Sequence, residues 1–356
     1  MMNDRTKIEI LREEITIPQI VQQKADSAYA MLREQNHKAG KTRMKKTLPL
    51  VAVAVMLAAG AFAAAGTKWN AGISGKWQVE EPQKESLQEE GAVSFAMQSQ
   101  TMNGVTITAE QSVTDNYSVY LGFRVEGYAW KEGLSPGFDE LQVHVDDVDD
   151  VNYSAGFFDG MVTGEDGSIF YWISMTQSQR GWAIGREIQV EFKNLCGYET
   201  ETGEADPESM TEGIWDFSWN LQGTDQMREW TVEIPLGDSG AVVRRVELSP
   251  ASGYVEYDWP RQREIRQAVG PDGEITEISR WARAPRMCGV RLKDGTVYPS
   301  LFSGDGSEGY LSSEQESIGY YVCRGCERLI APEQVASLLF ENTDEGGFYE
   351  VVLGDE

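Results

Sequence analysis

The sequence contains very little histidine and few basic residues. Only two histidines, His37 and His144, occur among 356 residues. A Ser-His-Asp hydrolase or a metal site built from several histidines is therefore not expected. There are 31 Lys and Arg against 57 Asp and Glu, a net charge of −26. A surface of that sign repels phosphate, which argues against a protein that coats nucleic acid.

One segment lacks charge altogether, from Thr47 to Thr67. It is rich in Ala, Val and Leu, and its 21 residues suffice for one helix across the ~30 Å hydrocarbon core of a bilayer. The segment therefore predicts a single transmembrane helix. Four basic residues precede it and are expected to contact lipid headgroups: Lys41, Arg43, Lys45 and Lys46.

The charge on either side of this segment predicts its orientation. Residues 1–46 carry ten Lys and Arg against six Asp and Glu, a net charge of +4, whereas residues 68–356 carry 21 against 51, a net charge of −30. Five of the basic residues lie within residues 38–46, directly before the uncharged segment, so the positive-inside rule places residues 1–46 in the cytoplasm and 68–356 outside the cell. A cleavable signal peptide, with small residues around Ala61, Ala63 and Ala65, is the alternative. The long charged region before the apolar run favours a retained anchor.

The cytoplasmic segment has the pattern of two short amphipathic helices. The first has apolar residues on one stripe, and the second begins at Thr16-Ile17-Pro18 and continues with a similar stripe. Forty-six residues are too few to bury a core, so each stripe needs another surface. The bilayer interface and a protein partner are equally compatible with the pattern. The candidate partner-binding residues are Ile8, Leu11, Ile15, Ile17, Ile20, Val21, Ala25, Ala28 and Leu32.

Residues 68–94 are polar and predict a spacer with at most one short helix. Beyond them apolar residues alternate, for example Val119, Leu121, Phe123 and Val125, which is typical of half-buried strands. Turn formers cluster at residues 235–240 and suggest an internal boundary there. The predicted fold is mostly β, with two consecutive antiparallel sandwich-like extracellular domains at residues 95–236 and 237–356.

Catalytic or metal-binding chemistry is difficult to find in the sequence. All four cysteines lie beyond the apolar run, so an oxidising compartment and disulfides are expected among Cys196, Cys288, Cys323 and Cys326, with the pairing undetermined. The acidic residues 146–150 lack the spacing of a calcium loop and predict a solvated hairpin tip. No nucleophile and base can be paired, so no enzyme, cofactor or metal is predicted.

The ten tryptophans raise the possibility of a carbohydrate-binding surface. Trp215, Trp219 and Trp230 lie on the apolar phase of their strands, which favours core packing. Others lie in less regular stretches and could be exposed: Trp130, Trp182, Trp259 and Trp281.

The order of these segments resembles the family known as domain of unknown function 4179, anti-sigma-factor-like single-pass membrane proteins of Gram-positive bacteria. Four stretches carry the resemblance: residues 17–21, the strands at 104–121, Val246-Glu247-Leu248-Ser249-Pro250, and residues 329–335. This chain departs from the family in its four extracellular cysteines and in Trp69-Asn70-Ala71, where many members have Asn-Pro.

The resemblance implies a regulatory function. Such a protein would sequester an extracytoplasmic-function sigma factor through its N-terminal helices while the extracellular region senses an envelope signal. The cytoplasmic segment has no Cys and only His37, so contact with a sigma factor would not use the zinc motif of other anti-sigma factors. The competing hypothesis is a cell-surface adhesion or ligand-binding module with an inert cytoplasmic tail.

Overall fold

The structure is a computed structural model that describes residues 69–354, except 80, 130, 132, 150, 159–166, 262, 270–274, 282–283, 315–316 and 343–345. These residues belong to one compact unit, Trp69–Glu356. In this described part, no helix combines the length and apolar character needed to cross a membrane. The predicted membrane span and the predicted cytoplasmic helices lie outside the described residues.

Two helices occupy the segment predicted to be a spacer. They are α1, Ala71–Trp77, and α2, Glu81–Glu89. Asn70 caps α1, since its side-chain oxygen accepts a hydrogen bond from the Ile73 backbone N–H at 2.9 Å. Ile73, Trp77 and Leu87 are buried. The helices were difficult to predict because seven and nine residues are too few to be stable without tertiary packing.

The first group of strands forms two antiparallel sheets. Sheet I has the order β1-β3-β4-β7-β6, with β2 also paired to β3, and sheet II has the order β5-β8-β9. The strand bounds are β1 Val93–Ser94, β2 Gln98–Met102, β3 Val105–Thr114, β4 Ser118–Glu126, β5 Leu134–Val145, β6 Tyr153–Phe157, β7 Ile169–Thr176, β8 Glu187–Glu199 and β9 Ala205–Asn220.

One hydrophobic core lies between sheets I and II. Leu121 and Phe123 of β4 pack in the same cluster as Phe192 of β8 and Trp215 of β9, and all four are fully buried. The predicted alternation in β4 is therefore confirmed. Tyr120, on the opposite face of β4, is also buried because Trp77 of α1 packs against it.

The second group of strands forms three sheets. Sheet III has the order β10-β11-β12-β18-β17, sheet IV has the order β16-β15-β19-β20, and β13-β14 is a separate two-stranded sheet. The strand bounds are β10 Arg228–Pro235, β11 Val242–Ser249, β12 Ser252–Asp258, β13 Arg263–Val269, β14 Ile275–Trp281, β15 Met287–Leu292, β16 Val297–Tyr298, β17 Phe302–Tyr310, β18 Gly319–Cys326, β19 Val335–Glu341 and β20 Phe348–Val352. Apolar residues of sheets III and IV, such as Val255 and Leu338, share the second core.

The strand pairing divides the chain earlier than predicted. β10 pairs with β11 through a short turn in which the Leu236 N–H donates to the Ala241 carbonyl at 2.9 Å. The predicted boundary between residues 236 and 237 therefore falls inside a hairpin of sheet III. The change of sheet occurs between Asn220 and Arg228. Turn formers mark hairpins as well as domain linkers, so their clustering did not separate the two cases.

Candidate functional site

A buried polar cluster joins the two groups of strands. It forms where the β3–β4 turn, residues 114–118, meets β11 and the β11–β12 turn, residues 245–252. We call this contact the junction. The first turn was predicted from Thr114-Asp115-Asn116, and the second belongs to one of the stretches that carry the family resemblance. The structure thus brings together two sequence features that lie more than a hundred residues apart.

Asp115 connects both sides of the junction. Its Oδ1 accepts hydrogen bonds from the backbone N–H groups of Tyr117 at 3.1 Å and Ser118 at 2.9 Å, which fixes its own turn. Its Oδ2 accepts the Ala251 backbone N–H at 2.9 Å, and the Ser252 hydroxyl donates to Oδ1 at 2.8 Å. One carboxyl group therefore organises its own turn and holds the turn of the second group.

Asp115 is almost completely buried. Only 1% of the residue is exposed. Burial raises the pKa of Asp115 above its ordinary value, and the hydrogen bonds from Ser252, Ser118, Tyr117 and Ala251 counteract part of that rise. Removal of this carboxyl group should lower the free energy of unfolding, because each buried donor would lose its acceptor.

Two neighbouring side chains complete the first turn. Asn116 donates through Nδ2 to the Ser249 hydroxyl at 3.3 Å and to the Asp225 carbonyl at 3.1 Å. The indole N–H of Trp182 donates to the Tyr117 carbonyl at 3.1 Å. Trp182 is buried, in contrast to the exposure considered from its irregular sequence surroundings. Its role in holding the turn had no signal in the local sequence.

An ion-pair cluster lies beside the turn. The Tyr117 hydroxyl donates to Glu247, which is fully buried. The guanidinium of Arg245 pairs with Glu247 and reaches Glu229 at 3.1 Å and Glu256 at 3.3 Å. A buried carboxylate is stable only when it is paired and hydrogen-bonded, and Glu247 has both kinds of partner.

Three tyrosine rings stack across the junction. Tyr117 of the first group lies on Tyr254 with ring centroids 5.1 Å apart and planes inclined by 11°, and Tyr254 lies on Tyr321 at 6.0 Å and 13°. Burial raises the pKa of Tyr117 and of Tyr254. Both hydroxyls therefore remain protonated at physiological pH and act as hydrogen-bond donors.

Helix α1 contacts both groups of strands next to the junction. Its Trp77 ring lies 4.6 Å from the ring of Tyr120 in β4, measured between centroids. The Lys76 ammonium lies 4.6 Å from the Trp172 ring centroid and 3.6 Å from the Glu327 carboxylate, just beyond β18. A movement of one group relative to the other would therefore disturb α1.

A cleft of about 240 Å³ opens beside the junction. One face of α2 and the residue that follows it form one wall, with Gln83, Ser86, Leu87 and Glu90 at helical spacing. Residues 226–228, which lead into β10, and residues 329–333, which follow β18, form the others. The second of these segments contributes to the family resemblance. The cleft is lined by apolar, amide and charged groups together.

The structure contradicts the predicted disulfides, because all four cysteines are free and buried. Cys323 and Cys326 are three residues apart in the extended strand β18, which separates their Cα atoms by roughly 10 Å and directs their side chains to opposite faces. A disulfide needs Cα atoms about 4.4–6.8 Å apart. Cys323 accordingly lies in the cluster of junction tyrosines, whereas Cys326 lies in the second core.

The remaining predicted features separate into core and surface residues. Trp215 and Trp230 are buried and Trp219 packs against the first core, as predicted; Trp259 is buried as well. His144 is exposed, and so are the described acidic residues of 146–150. Within the described residues, no three His, Cys, Asp or Glu side chains are placed to hold a metal ion.

The candidate partner-binding residues and the basic residues before the apolar run lie outside the described residues. Apart from Cys323, the side chains that meet at the junction and around the cleft gave no functional signal in the sequence.

Comparison with known proteins adds little to this description. No family model matches the chain, and no curated protein matches it. A solved structure, the conserved domain protein from Bacillus anthracis, is similar over 73% of this chain and 88% of its own, with 12% sequence identity and a TM-score of 0.42.

Proposed function

We propose that this protein is a membrane-anchored regulator whose N-terminal helices sequester an extracytoplasmic-function sigma factor while its extracellular β region receives an envelope signal. The observation that carries the proposal is the partition of charge. Six Lys and Arg lie in the 15 residues before the uncharged run at residues 47–67, and two lie in the 15 residues after it. This asymmetry is typical of a single-pass protein of the cell membrane with a cytoplasmic N-terminus.

The cytoplasmic part supports a binding function. Residues 5–34 have apolar stripes at helical spacing but too few residues to bury them within the segment. An amphipathic helix in a partner's groove is a common mode of recognition. The resemblance to the domain of unknown function 4179 family suggests a sigma factor as the partner.

Helix α1 supports coupling between the β region and the membrane. It begins at Ala71, four residues beyond the end of the uncharged run, and its Lys76 and Trp77 contact both groups of strands. In the sequence, only residues 68–70 separate the uncharged run from α1. A signal that shifts one group against the other would reach the membrane anchor through α1.

In this proposal, the signal is a small molecule that binds in the cleft beside the junction. Its walls come from α2, from the linker into β10 and from residues 329–333. A small molecule bound there would contact all three segments at once. Occupation of the cleft would therefore change how α2, and through it α1, is held.

The test is co-purification of the full chain, solubilised from membranes in mild detergent, with the sigma factors of its own cell. Ile20→Glu, Val21→Glu and Leu32→Glu together place three negative charges on or beside the apolar stripe. The matched control, Gln19→Glu, Gln23→Glu and Ala30→Glu, adds the same charge to the side of the helix opposite the stripe.

We expect one sigma factor to be retained by the native chain and by the control, and lost with the stripe variant. Equal retention by the stripe variant and the control would show that binding does not use this helix. Retention of no sigma factor at physiological salt would refute the regulatory proposal and favour the adhesion or ligand-binding hypothesis.

A further inference from the structure

The cleft beside the junction has an apolar floor. Leu87 of α2, Pro250 and Leu329 line it, and all three are buried. The apolar part of a ligand would be removed from water on this floor, which favours binding. The cleft volume of about 240 Å³ lies just below the usual range for drug-sized ligands, roughly 300–1,000 Å³. The cleft therefore fits a small molecule with an apolar body.

The walls of the cleft carry more negative than positive charge. Glu90 follows α2 directly, and Glu333 lies in the segment after β18. Glu90 accepts the Ser86 hydroxyl at 2.7 Å, and within the described part of the chain no basic side chain pairs with either glutamate. The basic residue among the described wall residues is Arg228, whose guanidinium carbon lies 5.0 Å from the ring centroid of Trp230.

The end of α2 at the cleft has an unfavourable charge pattern. The C-terminal end of a helix carries partial negative charge and is stabilised by Lys, Arg or His. The last turn of α2 has no basic residue, and Glu85, Glu89 and Glu90 add negative charge at this end instead. Lys84 pairs with Glu81, toward the other end, at 2.7 Å. Such local conflicts are expected at functional sites, and a bound cation would relieve this one.

We propose that the signal molecule of the cleft is a small primary amine, whose apolar body covers the floor and whose protonated nitrogen donates hydrogen bonds to Glu90. This inference rests on the proposed function, because that function makes the cleft the position of the signal. Hydrogen bonds between ammonium and carboxylate groups are among the strong ones. The net charge of −30 over residues 68–356 attracts a cation and repels an anion of the same size.

The described walls also distinguish between kinds of cation. They contain no aromatic side chain, whereas proteins typically hold quaternary ammonium groups in aromatic cages. A primary ammonium group has three N–H donors, and the carboxylates of Glu90 and Glu333 are acceptors only. A cation with N–H donors should therefore bind more tightly than a quaternary one.

The test uses probes with the same hexyl chain: hexylamine, hexanol, hexanoate and hexyltrimethylammonium. Hydrogen exchange of the full chain, in mild detergent and at increasing probe concentration, gives both the position and the affinity of binding. We expect hexylamine to slow exchange in α2 and in residues 329–333. Hexanol and hexyltrimethylammonium should bind about ten-fold more weakly, and hexanoate should give no protection.

Two single-charge variants separate contact from general electrostatics. Glu90→Gln keeps an acceptor for the Ser86 hydroxyl but removes the charge, and we expect hexylamine to bind about ten-fold more weakly and hexanol to be unaffected. Glu89→Gln is the matched control, because it removes the same charge from an exposed neighbour that does not line the cleft. Its effect should stay below about two-fold.

A third variant checks the position of the probe. Ala331 is half-buried in the cleft wall, and Ala331→Trp fills the space with a bulky side chain. We expect this variant to lose the protection by hexylamine and by hexanol. Unchanged exchange in β8 shows that the variant is folded.

Absence of protection by hexylamine, equal binding of hexylamine and hexanoate, equal losses with Glu90→Gln and Glu89→Gln, or protection that persists in Ala331→Trp would overturn the proposal. Sigma-factor retention is measured without any amine, so the two hypotheses can fail separately. Retention of a sigma factor without amine binding would overturn the ligand alone. Amine binding without retention of a sigma factor would overturn the regulatory function and leave the amine site in place.

Discussion

Replacing Asp115 with alanine should loosen the contact between the two groups of strands. The variant removes the acceptor for three backbone N–H groups, those of Tyr117, Ser118 and Ala251, which are buried with it. A buried donor without an acceptor costs roughly 1–3 kcal/mol. Relief of the desolvation of the carboxyl group offsets part of this sum, so we expect a loss of about 3–5 kcal/mol in the free energy of unfolding.

The measurement is urea denaturation of the compact unit Trp69–Glu356, followed by tryptophan fluorescence. Because Asp115 bridges the groups, we also expect the single transition to separate into two. Asp216→Ala is the control, since Asp216 is exposed on β9 and its loss should change stability by less than about 0.5 kcal/mol. A loss below about 1 kcal/mol, with one unchanged transition, would refute the view that Asp115 holds the junction.

Asp115→Asn removes the ionisable group of Asp115 but keeps a side chain of nearly the same size and shape. The amide keeps the acceptor at Oδ1 but turns an NH₂ group toward the Ala251 N–H, so we expect a loss of about 1–3 kcal/mol at neutral pH. Burial raises the folded-state pKa of Asp115 above its unfolded value. The native chain therefore binds this proton more tightly than the unfolded chain, and its stability relative to Asp115→Asn should rise as pH falls through that raised pKa. A difference that stays constant with pH would contradict this assignment.

Three further predictions concern the junction and its surroundings. Tyr117→Phe removes the hydroxyl that donates to buried Glu247 and should cost about 1–3 kcal/mol in the same urea assay; no change would show that Glu247 is satisfied without it. Asn70→Ala removes the cap of α1 and should lower the free energy of unfolding by about 1–2 kcal/mol. Hydrogen exchange should become faster in α1 but not in β8. An equal increase in both elements would indicate global destabilisation and contradict a local capping role. A thiol reagent should label all four buried cysteines slowly in the native chain and rapidly in urea. One reason is that burial raises the pKa of the Cys288 thiol to about 12, so little reactive thiolate forms. Rapid labelling of the native chain would contradict the burial of the cysteines.

Much of the strand content was predictable because alternation reports one buried face. Val119, Leu121 and Phe123 alternate in the sequence and all face the core between sheets I and II. The same rule could not identify Glu247, which lies between Val246 and Leu248 and would be assigned to a solvent-facing position. It is buried because the other group of strands covers that face.

The helices and the cysteines show the same limitation. Helix α1 is too short for a helical period to be recognised, and burial of Ile73 and Trp77 against the β region stabilises it. The disulfides were inferred from the position of the cysteines beyond the apolar run. Their separation in space depends on strand geometry, which places Cys323 and Cys326 on opposite faces of β18.

The sequence alone determined the mostly β class of the described region. It also determined the division of the chain into a basic segment, an uncharged run and an acidic segment. Both could be predicted because composition and period-two alternation are local properties. The tertiary structure decided which turns meet, which face of each strand is covered and where the two groups join. Asp115 and Ala251 are 136 residues apart, and no local pattern records that the carboxyl group of one accepts the N–H of the other.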